Sequence, residues 1–594
     1  MCGDLFADRT GRVCPRKKKY KFQVKQADIM LNAKQAKIII IVTLVILIGA
    51  GLFLRFWNLG GPSFWVDEIN AYYVGQSWAD RGEFVFPSGH EYHRAMLYSI
   101  IAGTGFKLLD ANETSTRMPA AIFGMLCIIM AYSLTRTIFS RKTAMWIVFL
   151  MVFSHFEIGW SRTARMYTML QFFSLCIVYI FVRAYQGESR FHRLEFNKGF
   201  VKNSLDFLRA YMPFVLWLVA GLALCRFAAV TIHFIAYLLI GGLFLYLLWM
   251  ALVQYFKNSG IQKWLNRHTV SAVVFALTGI VLYFFSPAVH HLITYFSEYI
   301  PAWAEGSATA QDRMLLFQFL ISPYRFPLAA FFLLGILHLF LQFRERGFLP
   351  FFTLVWVMVF FSFISPYRVQ AYFFFVYPLF LMFSAYGISA LLDMELKPLQ
   401  SIKPAQSFRF FGRQLSVRKT GALMIRIVVL LVFIAMPWFR ISLHIPFNED
   451  GITNMAVTPY EWREASRKVS NAAREGDVIL SGLPQITQYY GVKADYTFNW
   501  SALNLARFQG LRNDAGQYID VYAGIPCIGD LGSLKNIVKQ NRRGWCIVAR
   551  YYLENTMYIP KDIRAFLEEH TELYTRTKNG TVQIYHWDNE GRTG

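Results

Sequence analysis

Apolar residues in this chain fall in long unbroken runs instead of alternating with polar ones. Runs at 38–57, 117–139, 143–160, 166–185, 211–225, 227–255, 270–286, 326–343, 350–365, 370–392 and 421–440 each suit a helix surrounded by hydrocarbon. About 20 helical residues cross a hydrocarbon core of roughly 30 Å, and shorter runs cross where the layer thins. The pattern predicts a polytopic α-helical membrane protein with about eleven spans, in a range of about nine to thirteen. One further run, Ala95 to Leu109, is short and leads into Asp110 and Glu113, so it is expected to lie along the membrane surface.

Beyond residue 440 polar and apolar positions mix. Thr458-Pro459-Tyr460-Glu461 reads as a capping box opening a helix to about Glu475, and Asp477-Val478-Ile479-Leu480 reads as a strand. Helical signals at Leu531–Asn541 and Asp562–His570 alternate with a strand at Trp545–Arg550, and Lys578-Asn579-Gly580 marks a closing hairpin. Residues 441–594 are therefore expected to form a soluble C-terminal α/β domain. They carry neither a GxGxxG nor a P-loop pattern, so nothing points to nucleotide binding.

Composition agrees with the span pattern: 594 residues that are 55% apolar and 16% charged do not make a single soluble domain. A formal charge of +23 would ordinarily suggest nucleic acid, but the cations are confined to particular loops. Arg16, Lys17, Lys18, Lys19, Lys21, Lys25, Lys34 and Lys37 crowd the first 37 residues, and every second loop thereafter is basic, from Arg136-Arg141-Lys142 to Arg413-Arg418-Lys419. The positive-inside rule then makes 1–37 a cytoplasmic tail with no cleavable leader. It sets loops 58–116, 161–166 and 286–325, with residues 441–594, on the periplasmic side of a cytoplasmic (inner) membrane. Membrane lipids are expected partners and nucleic acid is not.

The outer loops hold the candidate chemistry. Asp67 and Glu68 sit where the first span returns to water; they suit either the start of a helix near Ile69 or general-base work. Arg94, Arg162, Arg165 and Arg368 lie outside against the topological bias, which a polyprenyl phosphate would explain. Tyr72, Glu91, Tyr167 and Tyr372 complete the candidate acceptor pocket. His90-Glu91-Tyr92-His93 lacks the zincin spacing, so His93 and His291 are candidate ligands only for a divalent metal held in some other way. Cys527 and Cys546 share the outer segment, where oxidising conditions would permit a disulfide.

Four segments taken together resemble the C-type glycosyltransferases, in particular the protein O-mannosyltransferase and lipid A aminoarabinose transferase group. They are Phe64-Trp65-Val66-Asp67-Glu68, His93-Arg94-Ala95-Met96-Leu97-Tyr98, Arg117-Met118-Pro119-Ala120-Ala121-Ile122-Phe123-Gly124, and Ser161-Arg162 through Arg165-Met166-Tyr167. The resemblance runs over residues 38–395. It implies a polyprenyl-phosphate-linked sugar donor, a lipid, glycan or protein acceptor, and transfer of a hexosyl or pentosyl group on the external face. It also implies that Asp67 activates the acceptor hydroxyl and that Arg94, with Arg368 ahead of Tyr372, faces the donor phosphate. Tyr167 and His93 stand where the family often has acids.

Chemistry points the same way: a sugar phosphate brings its own leaving group, so one base and a few cations suffice, and a single carboxylate favours inverting displacement. The alternative is a transporter or flippase of lipid-linked glycans. Few carboxylates lie inside the apolar runs and no inverted repeat is visible, which weighs against it.

Overall fold

The computed structural model describes residues 38–185, 200–259, 266–285, 312–323, 325–365, 368–396, 407–410, 413–416, 437–445 and 460–589. The chain divides into two units, 1–53 and 54–594. The first holds helix α1 (Ile38–Phe56) up to Phe53, with Ile38, Ile39, Val45 and Ile46 exposed, as on a helix facing lipid.

In the second unit the apolar runs fold as helices. A pair of shorter helices, α2 (Val66–Arg81) and α3 (Met96–Phe106), precedes α4 (Glu113–Ile138), α5 (Arg141–Val152), α6 (His155–Ser161) and α7 (Tyr167–Ala184). Then come α8 (Phe200–Thr231), α9 (Leu238–Lys257), α10 (Arg267–Phe285), α11 (Leu315–Ile321), α12 (Phe326–Gln342), α13 (Glu345–Val359) and α14 (Tyr377–Leu396). Among the described residues seven helices are long and apolar enough to cross a membrane, or nine if two bent pairs each count as one span. The protein is thus a multi-pass helical membrane protein.

Three expectations change. The run 143–160 is not one straight helix: α5 and α6 meet at 61°, and the Ser154 hydroxyl accepts the Glu157 amide to start α6. The expected boundary at residue 226 is absent. Instead α8 continues to Thr231 and stops where the amides of Ile232 and His233 both donate to the Ala228 carbonyl. Of the expected span 421–440, only the last residues are described, as the start of α15 (Pro437–His444). Where α12 meets α14 the backbones touch, because a methyl on Gly335 would strike the Phe383 carbonyl and one on Gly387 the Phe331 carbonyl. Small residues at such crossings replace the hydrophobic drive that lipid does not supply.

Strands β1 (Ser407–Phe410) and β2 (Arg413–Ser416) pair antiparallel. The last part of the chain builds a five-stranded mixed sheet in the order β4-β3-β5-β7-β6, from β3 (Val478–Ser481), β4 (Tyr496–Thr497), β5 (Arg543–Ala549), β6 (Glu572–Arg576) and β7 (Val582–Asp588). β3 lies parallel to β4 and β5, while β7 runs antiparallel to β5 and β6. The β6–β7 turn falls at the expected Lys578-Asn579-Gly580, with Gly580 at φ +71°. Helix α16 (Trp462–Ala472) is shorter than expected. Its N-cap Glu461 makes no side-chain capping bond, and Thr458 lies outside the described residues. Cys527 and Cys546 are both free thiols, so the disulfide that their shared segment would permit is not formed; Cys546 is buried in the central strand. The core of the sheet is shared: Trp462, Leu480, Ile486, Trp545, Ile563 and Ile584 pack in one cluster with Phe64, Ile69 and Tyr72 of the first loop and α2.

Candidate active site

Helix α2 begins at a turn held from several sides. The Glu68 carboxylate accepts the Trp65 amide at 3.0 Å, closing the helix start on itself. It also takes two parallel bonds from Arg117, each 2.8 Å, and the Ala164 amide at 2.6 Å. Arg117 gives its remaining donors to the carbonyls of Leu59, Pro62 and Ser63. Both partners are buried. Such a pair holds only because its charges are met by further hydrogen bonds; removing one member would leave a buried charge at a cost of about 3–5 kcal/mol. Glu68 therefore braces the turn, and both its oxygens are occupied.

Asp67, one residue earlier, differs: its side chain is 38% exposed and its partner is Arg165, with Nη2 3.3 Å from Oδ2 and Nη1 donating to the Asp67 carbonyl at 3.3 Å. The Arg165 guanidinium lies 5.8 Å from the Tyr167 ring. Beside them Arg94 donates to His233 Nε2 at 3.0 Å and reaches the Tyr372 hydroxyl at 3.5 Å. Arginine can only donate, so His233 must offer a bare nitrogen. Burial, reinforced by Arg94 and Arg165, holds the His233 imidazole well below its usual pKa and so neutral. The His233 ring is 5.5 Å from that of Tyr372 and 6.4 Å from that of Tyr167. Ala95, next to Arg94, sits at φ +58°, a left-handed conformation costly for a residue with a Cβ, just where the chain turns into α3.

Asp67, Arg94, Arg165, Tyr167 and Tyr372 are thus assembled from four distant segments, with His233 from a fifth. The other candidates have different partners. Arg162 is buried and donates to the carbonyls of Leu54, Arg55, Trp57 and Asn58, closing the end of the first span. Arg368 is within electrostatic reach of Arg313 and Asp312. Tyr72 packs among Phe64, Tyr73, Phe106 and Tyr489 in the shared core. His93 Nε2 lies 2.9 Å from Glu91 Oε2, an exposed hydrogen bond.

His291 lies outside the described residues. Among the described residues no three His, Cys, Asp or Glu side chains come together as metal ligands. Among the described residues the groups that interact with Asp67 include the guanidiniums of Arg165 and Arg94 and the phenols of Tyr167 and Tyr522, and these do not make a donor set for a divalent cation. His233 is not among the sequence candidates, and Arg117 enters the sequence reading only as the head of the segment Arg117–Gly124, with no role attached. His233 carries a signal, a lone ionisable side chain inside an otherwise apolar run; the segment headed by Arg117 says nothing of its partner Glu68.

A sequence profile for the dolichyl-phosphate-mannose-protein mannosyltransferase family matches residues 93–194, which include Arg94, Arg165 and Tyr167. No curated protein matches the sequence. Several solved structures share the fold. ArnT from Cupriavidus metallidurans in the apo state is 13% identical, with 93% of this chain and 98% of that one covered at a TM-score of 0.51. The same protein bound to undecaprenyl phosphate gives 13%, 91%, 97% and 0.51. The archaeal oligosaccharyltransferase AglB from Archaeoglobus fulgidus, in complex with an inhibitory peptide and a dolichol-phosphate, is 13% identical over 93% of this chain and 74% of its own, at a TM-score of 0.50. At such identity the likeness is one of fold.

Proposed function

We propose that this chain, a membrane protein with the C-type glycosyltransferase fold and the mannosyltransferase-family segment at 93–194, moves a sugar from a polyprenyl-phosphate donor to a hydroxyl of a lipid, glycan or protein on the external face of the membrane. The observation that carries this reading is the half-exposed Asp67 carboxylate beside two cations, Arg165 at 3.3 Å and Arg94 steadied by neutral His233. The ArnT and AglB structures with undecaprenyl phosphate and dolichol-phosphate support a lipid phosphate as the anion for such a fold.

In this reading Asp67 takes the proton of the acceptor hydroxyl as its oxygen attacks the anomeric carbon. The bond from that carbon to the phosphate oxygen breaks, and the electron pair leaves with the phosphate, where Arg94 and Arg165 meet the growing charge. With Glu68 fully occupied by Arg117 and backbone amides, no second carboxylate among the described residues stands ready beside Asp67 as a nucleophile. That favours a single inverting displacement. The basic loops argue for a cytoplasmic N-terminus in an inner membrane, with the site and the C-terminal sheet outside.

Asp67→Asn keeps the shape but not the base. It should cut transfer by at least about a hundredfold, a usual scale for losing a general base. Binding of undecaprenyl phosphate should stay close to wild type. Wild-type turnover in this variant would sink the assignment.

A further inference from the structure

The turn that aims Asp67 is gripped from two sides, and one side belongs to the C-terminal sheet layer. Arg117 takes the carbonyls of Leu59, Pro62 and Ser63. Arg463, in the first turn of α16, takes the two carbonyls between them: Nη1 donates to Gly61 at 2.8 Å and Nη2 to Gly60 at 3.0 Å. The Arg463 amide donates to the Ser63 hydroxyl at 3.2 Å. Five consecutive carbonyls, Leu59 to Ser63, are therefore held by two guanidinium groups. The next amide, that of Phe64, donates to the Tyr490 hydroxyl at 2.9 Å, and the one after it, that of Trp65, donates to Glu68.

Glu113, at the start of α4, ties the grip together. Its carboxylate accepts Arg463 Nη2 at 2.5 Å, the Tyr490 hydroxyl at 2.9 Å and the Tyr489 hydroxyl at 3.0 Å. Tyr489 also stands edge-on to Phe64 at 4.9 Å and to Tyr72 at 4.7 Å. Farther along α2 the Tyr73 hydroxyl donates to the Gln485 carbonyl at 2.9 Å. None of these groups bonds to Asp67, Arg165 or Arg94 in the cluster, yet Arg463 and Tyr490 fix the backbone three to seven residues before Asp67.

We infer that Arg463 and Tyr490 are positioning residues for the base, so that the C-terminal α/β layer is a working part of the transfer site and not an appended module. The inference rests on the transferase reading. A guanidinium that spans two adjacent carbonyls and a carboxylate fixes direction as well as distance, which a lysine at the same position cannot do. Loss of that grip would let the turn drift, and displacement by an ångström at a reacting group is enough for a large loss of rate.

The test uses the full chain in detergent micelles with Arg463→Ala, Arg463→Lys and Tyr490→Phe, the last removing only the hydroxyl that bridges Phe64 and Glu113. Three quantities are read: amide exchange over Phe64–Glu68, kcat for sugar transfer from a polyprenyl-phosphate sugar, and Kd for undecaprenyl phosphate. Arg463→Ala should speed exchange at these amides and lower kcat about tenfold or more, with the Kd near wild type. Tyr490→Phe should move both in the same direction by about threefold, and Arg463→Lys should fall between the Ala variant and wild type. A folded Arg463→Ala protein with wild-type exchange overturns the inference, as does faster exchange with unchanged kcat. Should Arg463→Ala fail to fold, wild-type exchange and kcat in Tyr490→Phe overturn it. A wild-type protein that turns over no donor sinks the transferase reading instead.

Discussion

Arg162 and Arg165 stand three residues apart in one short loop and have opposite fates. Arg162 is consumed by four carbonyls, while Arg165 leans on Asp67. Sequence distinguishes neither, because charge and position identify a residue as unusual without naming its partner. Asp67 and Glu68 divide in the same way, one half-exposed and one fully paired. What the sequence does carry is the set Asp67, Arg94, Arg165, Tyr167 and Tyr372, legible as polar side chains on one expected face. His233 completes it, and its contribution is testable. His233→Ala should remove the shorter of the two hydrogen bonds that hold Arg94 and raise the Kd for undecaprenyl phosphate about five- to tenfold, whereas His233→Gln, whose amide oxygen accepts, should recover most of the affinity. Unchanged binding in a folded Ala variant contradicts this role.

Asp520 offers a second residue-scale test. Burial raises its pKa to about 6 in the folded chain, against the amides of Ala523 and Tyr522, which lower it. A carboxyl with a raised folded pKa binds its proton more tightly in the native state. Its contribution is therefore full below the unfolded value near 4 and is lost as pH rises to about 6. Asp520→Asn should flatten that part of the profile, read as the melting temperature from about pH 4 to 7; an unchanged slope counts against it.

At the scale of elements, the apolar runs predict helices well, since a segment in hydrocarbon has few ways to satisfy its backbone except helix. Bends and breaks are less visible. The α5–α6 angle depends on a serine cap, and the end of α8 on two amides sharing the Ala228 carbonyl. Both breaks carry polar residues, Ser154-His155-Phe156-Glu157 and Thr231-Ile232-His233, but too few to end an apolar run, so a hydropathy average passes over them. Close crossings are equally hidden, as Gly335 and Gly387 look like any other glycine until α12 and α14 are seen to touch. Gly387→Val should wedge the two helices apart at a cost of about 1–3 kcal/mol or more, seen as a lower melting temperature in detergent. A wild-type melting temperature would mean that the crossing yields freely.

At the scale of the whole molecule, the sheet elements of the C-terminal part are largely readable in the sequence, down to the hairpin at Lys578-Asn579-Gly580. What is not readable is that its core is incomplete alone. Period-two and period-3.6 patterns say which face of an element is apolar and nothing about what covers it. Here Phe64, Ile69 and Tyr72 from the loop that presents Asp67 do part of the covering. The same loop therefore belongs to the sheet's core and to the candidate site, which joins the folding of one to the alignment of the other.

The proposed role of Asp67 as the base in sugar transfer from a polyprenyl phosphate can be checked by incubating purified wild-type and Asp67→Asn protein with a labelled polyprenyl-phosphate sugar and acceptor-bearing membranes. Wild type is expected to release free polyprenyl phosphate in step with sugar gained by the acceptor, and the variant to bind donor but release almost none. Equal release from both proteins, or none from wild type, would contradict it.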